Sequence, residues 1–316
     1  MNLSSEILKH CWFLAGPTAV GKSEVGVELA QRINAEIVSL DSMSLYRGMD
    51  VGTAKPSLQL RQIVPHHLID VLEPHEEFSV AEYVGAAATV VQEIIARDRV
   101  PLFVGGTGLY LRSLLRGVFE GPSADLELRR DLEADAVRLT PEELHGRLRS
   151  VDAASADRIH PHDVRRIVRA LEVYTRTGVP LSQFQRQLAL SPEQRPQNVF
   201  WLSPPRAWLH ERINRRVEAM LEEGLLEEVR RLLAAPLPLS RTARQALGYQ
   251  EAIDHLQGRC SLEETVIRIQ TRTRQFAKRQ HTWFRHLEEC RAVEIAGDET
   301  PATLAERLSR LTPAAR

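Results

Sequence analysis

Cysteine is scarce: Cys11, Cys260 and Cys290 are the three in a chain of 316 residues. An odd, scattered set rules out a disulfide scaffold, and no metal spacing links them to the histidines. These thiols read as small buried hydrophobes in a reducing cytoplasm. No apolar stretch approaches the length of a membrane span. The opening residues, Met1–Asn2–Leu3–Ser4–Ser5–Glu6, have no signal-peptide character, so a cytoplasmic protein without a membrane partner is expected. An excess of one charge is lacking too: the net value is −1 at pH 7, with no global pull toward nucleic acid. Internal repeats and low-complexity tracts are missing. So is any separate dimerisation segment, which makes a monomer the expectation. What remains is an ordinary soluble composition, 43% hydrophobic and 26% charged, long enough for a large core and two domains.

Against that background one motif stands out. The apolar run Cys11–Trp12–Phe13–Leu14–Ala15 leads into Gly16–Pro17–Thr18–Ala19–Val20–Gly21–Lys22–Ser23, a G-x-x-x-x-G-K-S loop. Helical apolar spacing follows in Glu24–Val25–Gly26–Val27–Glu28–Leu29–Ala30, so the strand–loop–helix context is present. Such a loop aims backbone N–H groups and a helix N-terminus at one point, which suits a phosphate chain. Gly16 and Gly21 supply angles and close approach that a Cβ would block. Lys22 reaches outer phosphates, and the Ser23 hydroxyl is placed to ligate Mg²⁺. A diphosphate or triphosphate is expected here.

ATP or GTP is the usual occupant, which favours a kinase or NTPase, yet a part is missing. The strand-like Val100–Pro101–Leu102–Phe103–Val104 runs into Gly105–Gly106–Thr107–Gly108 with no Mg²⁺-holding carboxylate. The strand-like Ala35–Glu36–Ile37–Val38–Ser39–Leu40 does end in one, Asp41. A lone Asp there serves either as a turn cap or as a reactive group outside the carboxyl end of a parallel strand. Hydroxyls, Arg47 and Lys55 in the following stretch give it the look of a reaction centre.

Acidic residues are absent between Glu264 and Glu288, a span holding Arg268, Arg272, Arg274, Lys278, Arg279 and Arg285. Helical spacing puts several of these cations on one face, with Ile269, Phe276 and Trp283 at heptad spacing on another. A second basic group comprises Arg158, Arg165, Arg166 and Arg169 with His160 and His162. One such face alone reads as solvated surface. Two in a nearly neutral protein point to a polyanion such as RNA.

The rest organises simply. Strands at 11–15, 36–40 and 100–104 alternate with helices at 22–33, 79–97 and 108–116, the pattern of an α/β parallel sheet. Segment 121–196 lacks any strand-like run and reads as helices over 125–138, 141–150 with Thr140 as N-cap, and 161–178. Asn198–Val199–Phe200–Trp201–Leu202 looks like a strand rejoining the sheet. Helices near 205–222, 224–234, 242–257 and 261–288 follow, and the tail Pro313–Ala314–Ala315–Arg316 reads as frayed. The expected organisation is a P-loop core over 1–118 and 197–316, its sheet flanked by helices, with an inserted all-helical domain over 119–196.

Taken in order, several stretches resemble the tRNA dimethylallyltransferase family. They are the P-loop, Asp41–Ser42–Met43 … Met49–Asp50–Val51–Gly52–Thr53–Ala54–Lys55–Pro56, and His66–His67–Leu68–Ile69–Asp70. Gly105–Gly106–Thr107–Gly108–Leu109–Tyr110, Arg169–Ala170–Leu171–Glu172–Val173, Gly248–Tyr249 and Ala277–Lys278–Arg279–Gln280 … Thr282–Trp283–Phe284–Arg285 complete the set. One position departs: the family commonly carries Gln where this chain has Ser44, a shorter side chain for the base contact made there.

The resemblance implies transfer of a dimethylallyl group from dimethylallyl diphosphate to N6 of the adenosine 3′-adjacent to the anticodon of tRNA. On that reading Gly16 through Ser23 cradle the leaving pyrophosphate with Mg²⁺ on Ser23, and Arg216 grips the diphosphate. Asp41 is implied as general base on the adenine amine. The implied tRNA contacts are Asp41, Ser42, Met43, Ser44, Thr107, Arg129, Arg165, Arg166, Ile167, Val168, Arg169, Gly248 and Tyr249, joined by Lys278, Arg279 and Arg285. Together the inserted helices and the basic C-terminal helix are expected to hold the anticodon stem-loop. The rival readings are a transferase acting on free adenine nucleotides, a small-molecule kinase, and a non-catalytic RNA-binding protein.

Overall fold

A computed structural model of the chain describes residues 3–118, 121–122, 125–185 and 189–311. It divides into two compact units, Met1–Arg116 with Ala189–Arg316, and Gly117–Leu188. The first unit holds six strands: β1 (Trp12–Ala15), β2 (Ala35–Leu40), β3 (His66–His67), β4 (Val100–Gly105), β5 (Val199–Ser203) and β6 (Arg291–Glu294). They pair in the order β3-β2-β4-β1-β5-β6, every pair parallel. Its helices are α1 (Ser5–His10), α2 (Lys22–Arg32), α3 (Leu58–Ile63), α4 (Val80–Ala96) and α5 (Gly108–Arg116) before the second unit. The second unit contributes α6 (Leu126–Arg138), α7 (Pro141–Val151), α8 (Ala153–Ala156), α9 (Val164–Thr177) and α10 (Leu181–Phe184). After it come α11 (Arg206–Glu222), α12 (Leu225–Leu233), α13 (Arg241–Arg244), α14 (Tyr249–Leu256), α15 (Leu262–Arg285) and α16 (Pro301–Arg310). The fold is α/β, a parallel sheet flanked by helices.

Parallel strands covered on both faces carry continuous apolar runs, and β2 and β5 are buried along their whole lengths. One core joins Leu14, Leu102, Phe200 and Leu202 of the sheet to Val25 and Leu29 of α2 and Leu304 and Leu308 of α16. The register matters most for function. Ala15 of β1 and Leu40 of β2 both pair with Gly105 of β4, so the three strands end level. Gly16, Asp41 and Gly106 therefore leave the sheet side by side. β1 lies between β4 and β5, and the chain passes from β1 to β2 on one side while β5 rejoins on the other. That reversal is where open α/β sheets bind ligands.

Several elements differ from the sequence reading. The helix expected over 242–257 is two, α13 and α14, because Gly248 takes φ 88° and cannot continue a helix. The helix expected from 161 starts at Val164, where the Asp163 side chain accepts from Arg166 N as N-cap. Elements α1, α3, β3, β6 and α16 had no counterpart in the periodicity, being short or completed by packing partners far away in sequence. The tail 313–316 lies outside the described residues.

The second unit is helical throughout its described residues. Thr140 caps α7 in a reciprocal box with Glu143. Its core gathers Leu144 and Leu148 of α7 with Ile167, Ala170, Leu171 and Val173 of α9. Among them Glu172, a buried carboxylate, accepts from Asp125 N at 2.7 Å, Arg129 at 2.8 Å and Arg169 at 2.9 Å. Burial opposes ionisation of Glu172, but hydrogen bonds from Arg169 and Arg129 outweigh it and hold the carboxyl below its usual range.

Candidate active site

The chain leaves β1 at Gly16 and turns into α2 through Gly21, whose φ of 93° lies in the left-handed region. Ala19 sits there too, at φ 64°, a strained choice for a residue with a Cβ. Lys22 Nζ donates to Pro17 O at 2.7 Å. Part of the lysine stem faces the cavity, yet its ammonium lies deep among protein atoms. Burial pushes its pKa down to about 7, opposed by the Asp41 carboxylate and reinforced by the Arg216 charge.

Arg216, on α11, approaches Thr18 Oγ1 at 3.4 Å, and burial lowers its pKa against the pull of Asp41. One turn earlier on the same helix, Arg212 Nε donates to Ala19 O at 2.9 Å and its guanidinium lies over the Trp208 ring. The loop thus gathers buried cations that a polyanion would stabilise. One expected donor is already engaged. Thr18 N donates to Gln280 Oε1 at 2.9 Å, so that amide is turned into the protein rather than toward a ligand.

Asp41 opens the second wall. Its Oδ1 accepts from Met43 N at 2.8 Å, an Asx turn, and this carboxylate has no other hydrogen-bond partner among the described residues. One oxygen thus serves as the turn cap, and the other has no hydrogen-bond partner among the described residues. Thr107 pins this turn: its N–H donates to Leu40 O at 3.0 Å and its Oγ1 accepts from Ser42 N at 3.1 Å. Ser44, 5% exposed, faces the same cavity.

A buried carboxylate organises the third wall. Glu228 of α12 accepts N–H bonds from Asp50 and Val51 at 2.8 Å and Gly52 at 3.1 Å, plus the Tyr249 hydroxyl at 2.6 Å. The loop it holds carries Thr53, Ala54 and Lys55 to the cavity. This corrects the placement of Tyr249 on tRNA. The ring is fully buried against Gly52 and the phenol pKa is raised by burial and by the Glu228 charge. Its work is on the loop.

Between these walls lies a cavity of about 660 Å³. Its lining combines polar and charged side chains, among them Lys22, Ser23, Asp41 and Arg216, with the apolar Ile37, Leu60, Ile69, Val104 and Phe276. A diphosphate esterified to a short hydrocarbon matches that combination.

The basic surfaces sort into charges bound to buried partners and charges exposed to solvent. On α15, Arg268, Lys278, Arg279 and Arg285 are exposed, whereas Arg272 pairs with the buried Glu251 and Arg274 bonds Asn214 Oδ1 at 2.7 Å. The apolar seam of α15 also differs from expectation: Ile269, Ala277 and Phe284 are buried, and Phe276 and Trp283 are half-buried. On α9, Arg165 and Arg166 are exposed, Arg166 also pairing with Asp163 at 3.3 Å, while Arg169 and Arg129 of α6 are bound to Glu172. Ile167 and Val168, expected at the RNA, are 0% and 2% exposed in the helical core, so their side chains face inward. Helical periodicity forces that outcome once Arg165 and Arg166 face water.

Two family models match the chain, one described as IPP transferase over residues 44–287 and one as isopentenyl transferase over 9–64. A tRNA dimethylallyltransferase of Symbiobacterium thermophilum is 48% identical over 299 residues, 94% of this chain and 93% of that one. The chain belongs to the tRNA dimethylallyltransferase family. A second member, from Pelotomaculum thermopropionicum, is 43% identical and covers 95% of each chain. Among solved structures, the tRNA isopentenylpyrophosphate transferase of Bacillus halodurans is 38% identical with a TM-score of 0.68, covering 95% of this chain and 94% of that one. A eukaryotic dimethylallyltransferase acting on tRNA is 28% identical with a TM-score of 0.74, over 90% of this chain and 74% of its own.

Sequence reasoning missed two residues of this site, Glu228 and Gln280, and one that organises the second unit, Glu172. Glu228 hides in Glu227–Glu228, which reads as a solvated helix charge. Glu172 and Gln280 stand inside family motifs, but partners 47 and 262 positions away gave no local signal.

Proposed function

We propose that this chain transfers a dimethylallyl group from dimethylallyl diphosphate to N6 of the adenosine 3′-adjacent to the anticodon of tRNA. The observation that carries the reading is one cavity in which a cationic P-loop, an unpaired carboxylate oxygen of Asp41 and apolar side chains meet. The allylic C–O bond breaks as the C–N bond forms, the electron pair leaving with pyrophosphate and an N–H proton passing to Asp41. Lys22, Arg216 and the loop amides after Thr18 stabilise the departing charge, and positioning of the amine supplies much of the rest. The adenine must leave the anticodon stack to reach Asp41.

Mg²⁺ fits the residues present. Ser23 Oγ has no protein hydrogen bond among the described residues and faces the cavity. No group of three or more His, Cys, Asp or Glu side chains converges there among those residues. A cation needing few protein ligands and completing its shell with phosphate and water matches that donor set. When bound, it offsets charge on the leaving group.

For RNA, the exposed Arg165 and Arg166 of one unit and Lys278, Arg279 and Arg285 of the other supply phosphate contacts. Thr107, Ser42, Met43 and Ser44 stand beside Asp41, where the target base would enter, and Gly248 opens α14, which carries Tyr249 to Glu228. Such a substrate implies a cytoplasmic enzyme, and no described helix is long and apolar enough to cross a membrane. We take it to act as a monomer.

The deciding experiment incubates unmodified tRNA with dimethylallyl diphosphate, Mg²⁺ and the protein, then measures nucleoside mass. One added C5H8 on adenosine in tRNA, and none on free AMP, is expected. Transfer to AMP would favour the free-nucleotide reading, and stoichiometric ADP from ATP the kinase reading.

The surface charges give a second expected result. Replacing Lys278, Arg279 and Arg285 together by Ala should weaken binding of every tRNA alike. Each lost contact should flatten the log–log salt slope by roughly 0.7–0.9. Arg165 and Arg166 form the matching pair, with Arg169 left intact because Glu172 needs it. Unchanged slopes in stem-loop binding at several salt concentrations would reduce both groups to solvated surface.

A further inference from the structure

Gln280 of α15 is 4% exposed, and its carboxamide spans two walls of the site. Its Oε1 accepts from Thr18 N at 2.9 Å, and its Nε2 donates to Gly106 O at 2.9 Å. The amide orientation follows from its partners, because a backbone N–H only donates and a carbonyl only accepts. No other side chain of this length offers both functions: Glu lacks the donor, Met lacks both.

The consequences run outward from Thr18. With its N–H held by Gln280, the Thr18 backbone is fixed, and its Oγ1 is the group that Arg216 approaches. Gly106 is the other half of the joint. A Cβ on Gly106 would lie 2.2 Å from Gln280 Nε2, so glycine is what admits the amide. One step on, a Cβ on Gly108 would lie 2.8 Å from Trp283 Cβ, so α15 seats against this turn through two glycines. The motif Gly105–Gly106–Thr107–Gly108 thus reads as a docking seat for α15.

We infer that Gln280 is a positioning residue for the diphosphate: it fixes the P-loop against the Gly106 turn and so sets the geometry in which Thr18 and Arg216 meet the leaving group. The inference rests on the P-loop holding a diphosphate and goes beyond it by naming what holds the loop.

The test uses the full chain and inorganic pyrophosphate as probe. Q280A should raise the pyrophosphate Kd and the KM for dimethylallyl diphosphate by about tenfold, leaving the KM for tRNA within about twofold. A general loss of structure would move both KM values together, which would overturn the inference. G106A provides an independent route, since it displaces the amide without changing Gln280. It should cause a similar loss, and the Q280A/G106A double variant should fall well short of the sum of the two, because the 2.2 Å clash vanishes with the side chain and only the 3.3 Å contact with Gly16 O remains. Additive losses would overturn the joint. In wild-type protein the Thr18 amide should be strongly protected from hydrogen exchange before pyrophosphate is added, a readout that no folding defect can obscure; fast exchange sinks the proposal. Wild-type protein that does not bind pyrophosphate would remove the diphosphate reading itself. Wild-type binding with Q280A unaffected would remove only the role of Gln280.

Discussion

Asp41→Asn is expected to lower kcat by about 10²–10⁴-fold while pyrophosphate and tRNA affinities stay within about threefold. The substitution is informative because Asn keeps a side-chain oxygen for Met43 N, the bond at 2.8 Å that shapes the turn. The turn survives and only the proton acceptor goes. Asp41→Ala removes both, so it should match Asn in kcat and add a loss of tRNA affinity as Ser42 and Met43 loosen. Near-normal turnover in the Asn variant would return Asp41 to the status of a cap. The adenine amine is a weak nucleophile, its lone pair drawn into the ring, which is why removal of a base at this point should cost so much.

Lys22→Met carries the second large effect, a fall of about 10²–10³-fold in kcat/KM for dimethylallyl diphosphate. The buried ammonium also dictates a pH signature. Its pKa of about 7 in the free protein means the charge is present below that pH and lost above it. An anion binds the charged form, so pyrophosphate affinity should fall about tenfold per pH unit above about 7 in wild type, relative to the Met variant, which subtracts the ligand's own ionisation. The sign for stability is opposite. A lysine whose folded pKa lies below its unfolded value holds a proton better when unfolded, so its contribution to stability rises between about pH 7 and 10.5. Lys22→Met should therefore raise Tm at pH 6 and matter less at pH 10. Equal pH profiles in the two proteins would remove the titration of Lys22 near 7, and an unchanged kcat/KM in the variant would remove Lys22 from the diphosphate site.

Much of this was legible in one dimension because the governing interactions are local. A glycine-bounded loop between an apolar run and an amphipathic segment is a complete instruction for strand, phosphate loop and helix. Thr140 with Glu143 likewise announced the start of α7 without help from the rest of the chain. The α/β class followed from alternation, and the missing carboxylate after Val104 argued against an ordinary NTPase. Where local rules competed with packing, packing won. Phe276 and Trp283 hold heptad spacing, yet Ala277 and Phe284, one residue on, are the ones buried, on the face that also carries Gln280.

The sequence by itself determined the P-loop, the parallel sheet, the helical character of the second unit and the identity of Asp41 as the carboxylate to watch. Tertiary structure alone decided which of the nominated residues meet. Strand register set Gly16, Asp41 and Gly106 level, and a helix 262 residues away from Thr18 closed the loop through Gln280. It also withdrew Tyr249, Ile167 and Val168 from the surface and tied Arg129 and Arg169 to Glu172. The physical reason is the same throughout. Propensity and spacing act over a few residues, whereas burial of a polar group demands a partner wherever the fold can bring one.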